Sequence, residues 1–325
     1  MGPAGSQEEE NRVNEWMVPA FKPGTKFREL LSGSDPILAP GAFDGLSARL
    51  IVEAGFEAVY MTGFGASASV LGRPDVGLLS LREMADHARQ IADAVPETPV
   101  IADADTGYGN PLNVIRTVQE YERAGVAGIH LEDQSAPKKC GHMAGKEVIS
   151  AEEMVAKIHA AVDARKCPDF FIIARTDARA VEGLDQALER GRKYREAGAD
   201  MLFIEAPENE EEIRTIARTF SGTPLLFNWA EGGKTPPVTY ENLREWGFRM
   251  VIFPVSTLLS ATRAMREVLR TIRQRGTPIG VMDKLVPFQE FLDFIGLPEI
   301  HLLEQRYGAQ SVTGPAFRDR RHQTK

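Results

Sequence analysis

Eight short apolar runs recur along the chain, each followed by a stretch with helical period. The runs are PILAPGAF (36–43), AVYMTG (58–63), PVIADAD (99–105), GIHLED (128–133), FFIIARTD (170–177), ADMLFIEA (199–206), PLLFN (224–228) and MVIFPVS (250–256). They are nearly continuous rather than alternating, the pattern of parallel strands covered on both faces. Ser80 with Glu83, and Ser150 with Glu153, have the spacing of capping boxes and open two of the helices. Gly55, Gly125, Gly198 and Gly247 end helical segments just before a new run, as left-handed caps do. About eight strand–helix units in series predict an α/β fold, a (β/α)8 TIM-type barrel. An open doubly wound sheet has the same periodicity and is the alternative. Residues 281–307 form an apolar helical addition whose face needs cover, from a second subunit or from the barrel's own flank.

Composition narrows the class. The chain has 325 residues, 43% of them hydrophobic and 26% charged, enough to bury a large core. Its net charge of −8 argues against nucleic-acid or anionic-membrane partners, which need a basic face. No apolar run approaches the ~18 residues of a membrane span, and the acidic, polar start has no secretory pattern. Two cysteines, Cys140 and Cys167, make no disulfide framework, so a cytoplasmic location is expected. The expected organisation is a loosely attached extension over 1–25, a barrel over 26–280, a helical extension for oligomer packing over 281–310 and a flexible tail over 311–325.

Candidate chemistry gathers where the strands end, which is the working face of such a barrel. Thr62, Gly63 and Phe64 end the second run, and Glu132 ends the fourth. Arg175, Glu205 and Asn228 end later ones. Asp103 and Asp105 lie two apart, so one strand would aim both carboxylates to the same side. Paired carboxylates repel unless a cation lies between them, and Mg²⁺ or Mn²⁺ suits such all-oxygen donors, with Glu132 completing the set. Capping the next helix is the other use for these acids. GFGASA has a loose dinucleotide-binding spacing, but Glu83 belongs to a helix cap rather than to a strand end, so that reading is rejected. Its glycines would serve a tight turn, or hold a substrate carboxylate or phosphate on backbone N–H groups. Arg175 has the planar fork for a carboxylate, or for an ion pair with Asp177 or Glu205. PKKCGHMAGK (137–146) places Cys140 beside lysines in a glycine-rich loop; it cannot hold zinc, having no second ligand pair. Such a loop could close over a substrate and deliver a proton from the thiol.

TGFGASASVLGRPDVG, ADADTGYGN, HLEDQ, PKKCGHMAGK, ARTDAR and NWAEGGKTP, in this order, resemble the isocitrate lyase/phosphoenolpyruvate mutase superfamily over residues 26–310. The resemblance implies a (β/α)8 barrel with C-terminal helices swapped between subunits, a homotetramer, Mg²⁺ in the site and a small anionic carboxylate substrate. Carried over by motif, Asp75, Asp103, Asp105 and Glu132 would surround the metal. Thr62, Gly63, Phe64, Gly141, His142, Arg175 and Asn228 would bind substrate. Lys138, Cys140, Arg175 and Glu205 would be catalytic, Cys140 as general acid. NWAEGGKTP and HMAGK resemble dimethylmalate-cleaving, oxaloacetate-cleaving and carboxyphosphonoenolpyruvate phosphonomutase members. The implied activity is cleavage of a 2-hydroxy, 2-methyl-branched dicarboxylate such as 2,3-dimethylmalate or 2-methylisocitrate to pyruvate plus a short acid. The phosphonomutase reaction and oxaloacetate decarboxylation or hydrolysis are the alternatives.

Overall fold

All eight apolar runs become strands. The structure, a computed structural model, describes residues 21–141 and 145–308. The strands are β1 (Ile37–Ala42), β2 (Val59–Met61), β3 (Val100–Asp103), β4 (Gly128–Glu132), β5 (Phe171–Thr176), β6 (Met201–Ile204), β7 (Leu225–Asn228) and β8 (Met250–Phe253). Every neighbouring pair is parallel, and β8 closes on β1 with Ile37 opposite Met250 and Pro40 opposite Phe253. The sheet is therefore a closed barrel and not an open one.

The helices are α1 (Pro23–Ser32), α2 (Gly45–Glu53), α3 (Gly63–Ala66), α4 (Leu81–Ala94), α5 (Pro111–Arg123), α6 (Ala151–Ala164) and α7 (Arg179–Glu182). They continue as α8 (Leu184–Glu196), α9 (Glu210–Thr219), α10 (Tyr240–Trp246), α11 (Ser256–Arg275), α12 (Phe288–Phe294) and α13 (Leu297–Tyr307). Ser80 and Glu83 form the expected reciprocal box at the start of α4, and Ser150 Oγ accepts from the Glu153 amide at the start of α6. Gly55, Gly125, Gly198 and Gly247 all have positive φ, so each helix they follow turns back without a Cβ penalty.

Two apolar layers flank the sheet. Outside, helices cover it with residues such as Ile51, Ile91, Val118, Ile158 and Ile216. Inside, Ile37, Ile101, Phe171, Met201 and Met250 fill the lower barrel, where Phe27 of α1 meets the Phe171 ring edge-on at 4.9 Å. Higher up, the alternate strands β2, β4 and β6 supply Tyr60, His130 and Phe203, whose rings contact one another in series at 5.8 Å. This layer is the floor of the charged upper mouth. Residues Phe21–Arg266 form one compact unit, and residues from Glu267 onward belong to another. In the latter, Val286 and Phe288 are exposed. Among the described residues, no helix is long and apolar enough to cross a membrane.

Candidate active site

The upper mouth encloses a cavity of about 240 Å³. Thr62, Phe64, Asp75, Asp103, Lys138, Cys140, Gly141, Arg175, Glu205 and Asn228 line it, and all were marked out in the sequence. Ala230, Ile252, Pro254, Val255 and Leu259 add an apolar part. His142 lies outside the described residues.

Each strand end delivers its side chain by a different local device. Thr62 caps α3 by accepting from the Gly65 amide, and Gly63 lies so close to Asp103 that a Cβ there would meet Oδ2 at 2.2 Å. Gly63 is thus required by close approach. Asp103 ends β3, but Asp105 does not lie on the strand: its φ is 48°, a left-handed turn that Asp tolerates better than most residues. The two carboxylates therefore do not share one strand, contrary to their spacing of two. A turn brings the second carboxylate round, and Asp103 Oδ1 stabilises it by accepting from the Asp105 amide at 2.9 Å. Neither acid caps α5, since Asn110 does so.

Lys138 is the cation among these acids. Its buried Nζ lies 2.6 Å from Asp75 Oδ1 and 2.7 Å from Asp105 Oδ1. Burial alone would lower the Lys138 pKa, but the carboxylates around it, Asp105 first, hold it well above the ordinary value. Asp105 is pushed up to about 6 by burial and by the Asp103 and Asp75 charges, with Lys138 opposing. Burial likewise raises Glu132 well above the usual carboxylate range, against the pull of Arg175.

Arg175 makes both of the ion pairs considered for it, and a third. Its Nε lies 2.9 Å from Asp177 Oδ2 and 3.3 Å from Glu132 Oε2, and its Nη2 lies 3.3 Å from Glu205 Oε2. Asn228 Nδ2 donates to Glu205 Oε2 at 3.2 Å. The guanidinium also lies over the Phe203 ring, 5.0 Å from its centroid.

The loop carrying Cys140 is packed into this cluster. The Cys140 amide donates to the Asp75 carbonyl at 3.2 Å, and Gln134 clasps Lys139 through both its amide N–H and its carbonyl. A Cβ on Gly141 would meet Arg175 Nη2 at 2.5 Å, so only glycine lets the loop come this near. Both cysteines are thiols.

A divalent cation was expected among Asp75, Asp103, Asp105 and Glu132. Among the described residues no three His, Cys, Asp or Glu groups converge into a ready cage. The donor set nevertheless fits a hard cation. All four carboxylates are buried, and neither oxygen of Glu132 has a hydrogen bond among the described residues. Its cationic neighbour Arg175, with Nε 3.3 Å from Oε2, makes an ion pair without a hydrogen bond, and a divalent cation with its waters would satisfy those oxygens.

Tyr60 and His130 were not singled out in the sequence. Tyr60 Oη lies 2.9 Å from His130 Nε2, and that nitrogen is 3.5 Å from Asp103 Oδ1. The signal was available: a polar ring within an apolar barrel run must face a partner inside. Lys146 and Asp177 were likewise missed as site residues, although Asp177 stands two after Arg175 in ARTD.

The model of the family described as phosphoenolpyruvate phosphomutase matches residues 27–273. The chain belongs to that family. It is a lyase of the isocitrate lyase/phosphoenolpyruvate mutase superfamily. It is 54% identical to 2,3-dimethylmalate lyase of Eubacterium barkeri, over 87% of this chain and 97% of that protein. It is 44% identical to the chloroplastic carboxyvinyl-carboxyphosphonate phosphorylmutase of Arabidopsis thaliana, over 89% of this chain and 86% of that one. A crystal structure of 2,3-dimethylmalate lyase superposes with a TM-score of 0.86 at 41% identity, covering 91% of this chain and 99% of the other. Phosphonopyruvate hydrolase complexed with oxalate and Mg²⁺ gives 0.80 at 33%, covering 88% and 99%. The family therefore agrees with the closed barrel.

Proposed function

We propose that the enzyme is a Mg²⁺-dependent carbon–carbon lyase that cleaves a 2-methyl-branched 2-hydroxy acid, the dicarboxylate 2,3-dimethylmalate or the tricarboxylate 2-methylisocitrate, to pyruvate and a short carboxylic acid. The observation that carries this reading is the composition of the cavity. Buried Arg175 and Lys138 meet Cys140 there, while Ala230, Ile252, Pro254, Val255 and Leu259 supply apolar surface for the branching methyl groups. The similarity to 2,3-dimethylmalate lyase supports the same substrate class.

Asp75, Asp103, Asp105 and Glu132 would hold Mg²⁺, directly or through water, and the ion supplies positive charge beside the substrate carboxylate and 2-oxygen. Thr62, Gly63 and Phe64 bind a substrate carboxylate, with Gly141, His142 and Asn228 completing the binding set. Arg175 holds a carboxylate by its planar fork, kept in place by Glu205 and Asp177. As the 2-hydroxyl passes its proton to a carboxylate of the cavity, Asp103 or Glu205, its oxygen becomes the carbonyl of pyruvate and the adjacent C–C bond breaks. The electron pair passes to the departing carbon and spreads onto its carboxylate. Cys140 then gives its thiol proton to that carbon, completing the second acid. The packed loop excludes water that would otherwise compete for the carbanion. Lys138 fixes the loop beside the acids and balances their charge.

We further read residues 281–310 as an oligomer-packing extension of a homotetramer, consistent with the exposed Val286 and Phe288. The deciding experiment is a Mg²⁺ assay with 2,3-dimethylmalate, 2-methylisocitrate, isocitrate, oxaloacetate and phosphonopyruvate, followed by proton and phosphorus NMR. Pyruvate with propionate or succinate is expected. Oxalate from oxaloacetate alone, or a new phosphorus signal with no carbon acid cleaved, would overturn the assignment in favour of hydrolase or mutase chemistry.

A further inference from the structure

Lys146 follows the Cys140 loop, yet its side chain is only 1% exposed. An ammonium is held that deep only where its charge and donors are met. Its Nζ lies 2.6 Å from Asp177 Oδ1 and also donates to the Gly141 carbonyl. Asp177 in turn accepts from Arg175, Oδ2 from Nε at 2.9 Å and Oδ1 from Nη2 at 3.2 Å. The Asp177 amide donates to Asp133 Oδ1 at 2.9 Å, which anchors this carboxylate to the end of β4. One carboxylate thus joins a loop lysine to the arginine of the cavity. Although burial alone would raise the Asp177 carboxyl, the Arg175 and Lys146 cations hold it well below the usual carboxylate range.

We propose that Lys146 is a positioning residue that latches the Cys140 loop to Arg175 through Asp177 and the Gly141 carbonyl. Lys146 does not line the cavity, so it acts through those neighbours. Cys140 is held from two sides. Before it, Lys138 pairs with Asp75 and Asp105; after it, Gly141 is drawn against Arg175 and Glu205 by the Lys146 bond to its carbonyl. Two buried lysines therefore set the height of the thiol over the cavity, each reading a different half of the site.

The proposal rests on Cys140 being the proton donor, but its test does not need turnover. Lys146→Met keeps the apolar stem and leaves Asp177 with Arg175. Iodoacetamide labelling is then followed at Cys140 and Cys167 in the same molecules by mass spectrometry. The Cys140-to-Cys167 rate ratio is expected to rise roughly tenfold or more, because release of the latch opens the loop locally. In the lyase assay kcat is expected to fall about 10–100-fold with KM little changed, the signature of a misplaced reacting group. A lower melting temperature with an unchanged labelling ratio and unchanged kcat would overturn the proposal and leave Lys146 a stabilising residue only. If the variant does not fold, acetic anhydride footprinting of the wild-type enzyme decides. Lys146 is expected to react as slowly as buried Lys157; reaction as fast as exposed Lys26 would sink the latch. Should the lyase assay be silent, the labelling ratio still reports loop position.

Discussion

The two mouths of the barrel handle charge in opposite ways. At the lower mouth Arg28 pairs with Asp169 and Asp200, and Arg165 with Asp200, the Arg28–Asp169 pair being 36% exposed on both sides. Water screens the Arg28–Asp169 pair, and beneath it lies an apolar cluster that runs from Phe27 through Ile101 to Met250. At the upper mouth Asp75, Asp103, Asp105, Glu132, Lys138, Lys146, Arg175, Asp177 and Glu205 are all buried. Desolvating so many charges costs stability that hydrophobic replacements would not. A barrel needs only the lower arrangement to stand, so the upper one is the part shaped by chemistry.

The sharpest break in this comparison is expected at Cys140. Cys140→Ser should leave the melting temperature unchanged and lower kcat by about 10²–10⁴-fold, the range of a lost general acid, as read in the lyase assay. Near-normal turnover across several pH values would remove Cys140 from the mechanism. Next, Arg175→Met removes the guanidinium that Asp177, Glu132 and Glu205 share and should cost about 3–5 kcal/mol in urea unfolding. Arg28→Met at the lower mouth should cost about 1 kcal/mol or less, with activity intact. Equal losses at the two sites would refute the contrast.

His130 sharpens it further. Burial lowers its pKa from 6.5 to about 4, so the unfolded chain takes up a proton first as pH falls. Stability is then present above about pH 6.5 and is lost progressively towards pH 4, by about 3 kcal/mol over the whole interval. Urea titrations from pH 7.5 to 4.5 should show a slope that is shallower in His130→Gln. A smaller effect concerns Mg²⁺, which at 100 times its Kd should stabilise by about 2.7 kcal/mol at pH 7–8 and so raise the melting temperature. Because Asp105 takes its proton near pH 6, the Mg²⁺ shift should shrink as pH falls through that value, and chelator should abolish it. A shift that is identical at pH 5 and pH 8 would exclude Asp105 from the metal set.

Strand count and parallel direction were legible because parallel strands buried on both faces carry an apolar signal that needs no partner to be read. The four helix-ending glycines were legible for the same local reason. Much of the cavity lining was legible too, since polar residues such as Arg175, Glu205 and Asn228 stand at the ends of apolar runs. What escaped were groups whose role depends on neighbours distant in sequence. Asp105 reaches the site by a left-handed turn, not by strand alternation. Tyr60 and His130 are 70 residues apart and meet only because alternate strands share a layer inside the barrel. Lys146 finds Asp177 across 31 residues of chain.

The sequence by itself determined the elements, their parallel direction and the polar residues offered at the strand ends, because local periodicity and backbone preference act over a few residues. Only the tertiary structure decided that the sheet closes, that Gly63 and Gly141 are demanded by close approach, and that one buried carboxylate joins Lys146 to Arg175. Those outcomes depend on distances between segments far apart in the chain, which packing sets and local pattern does not contain.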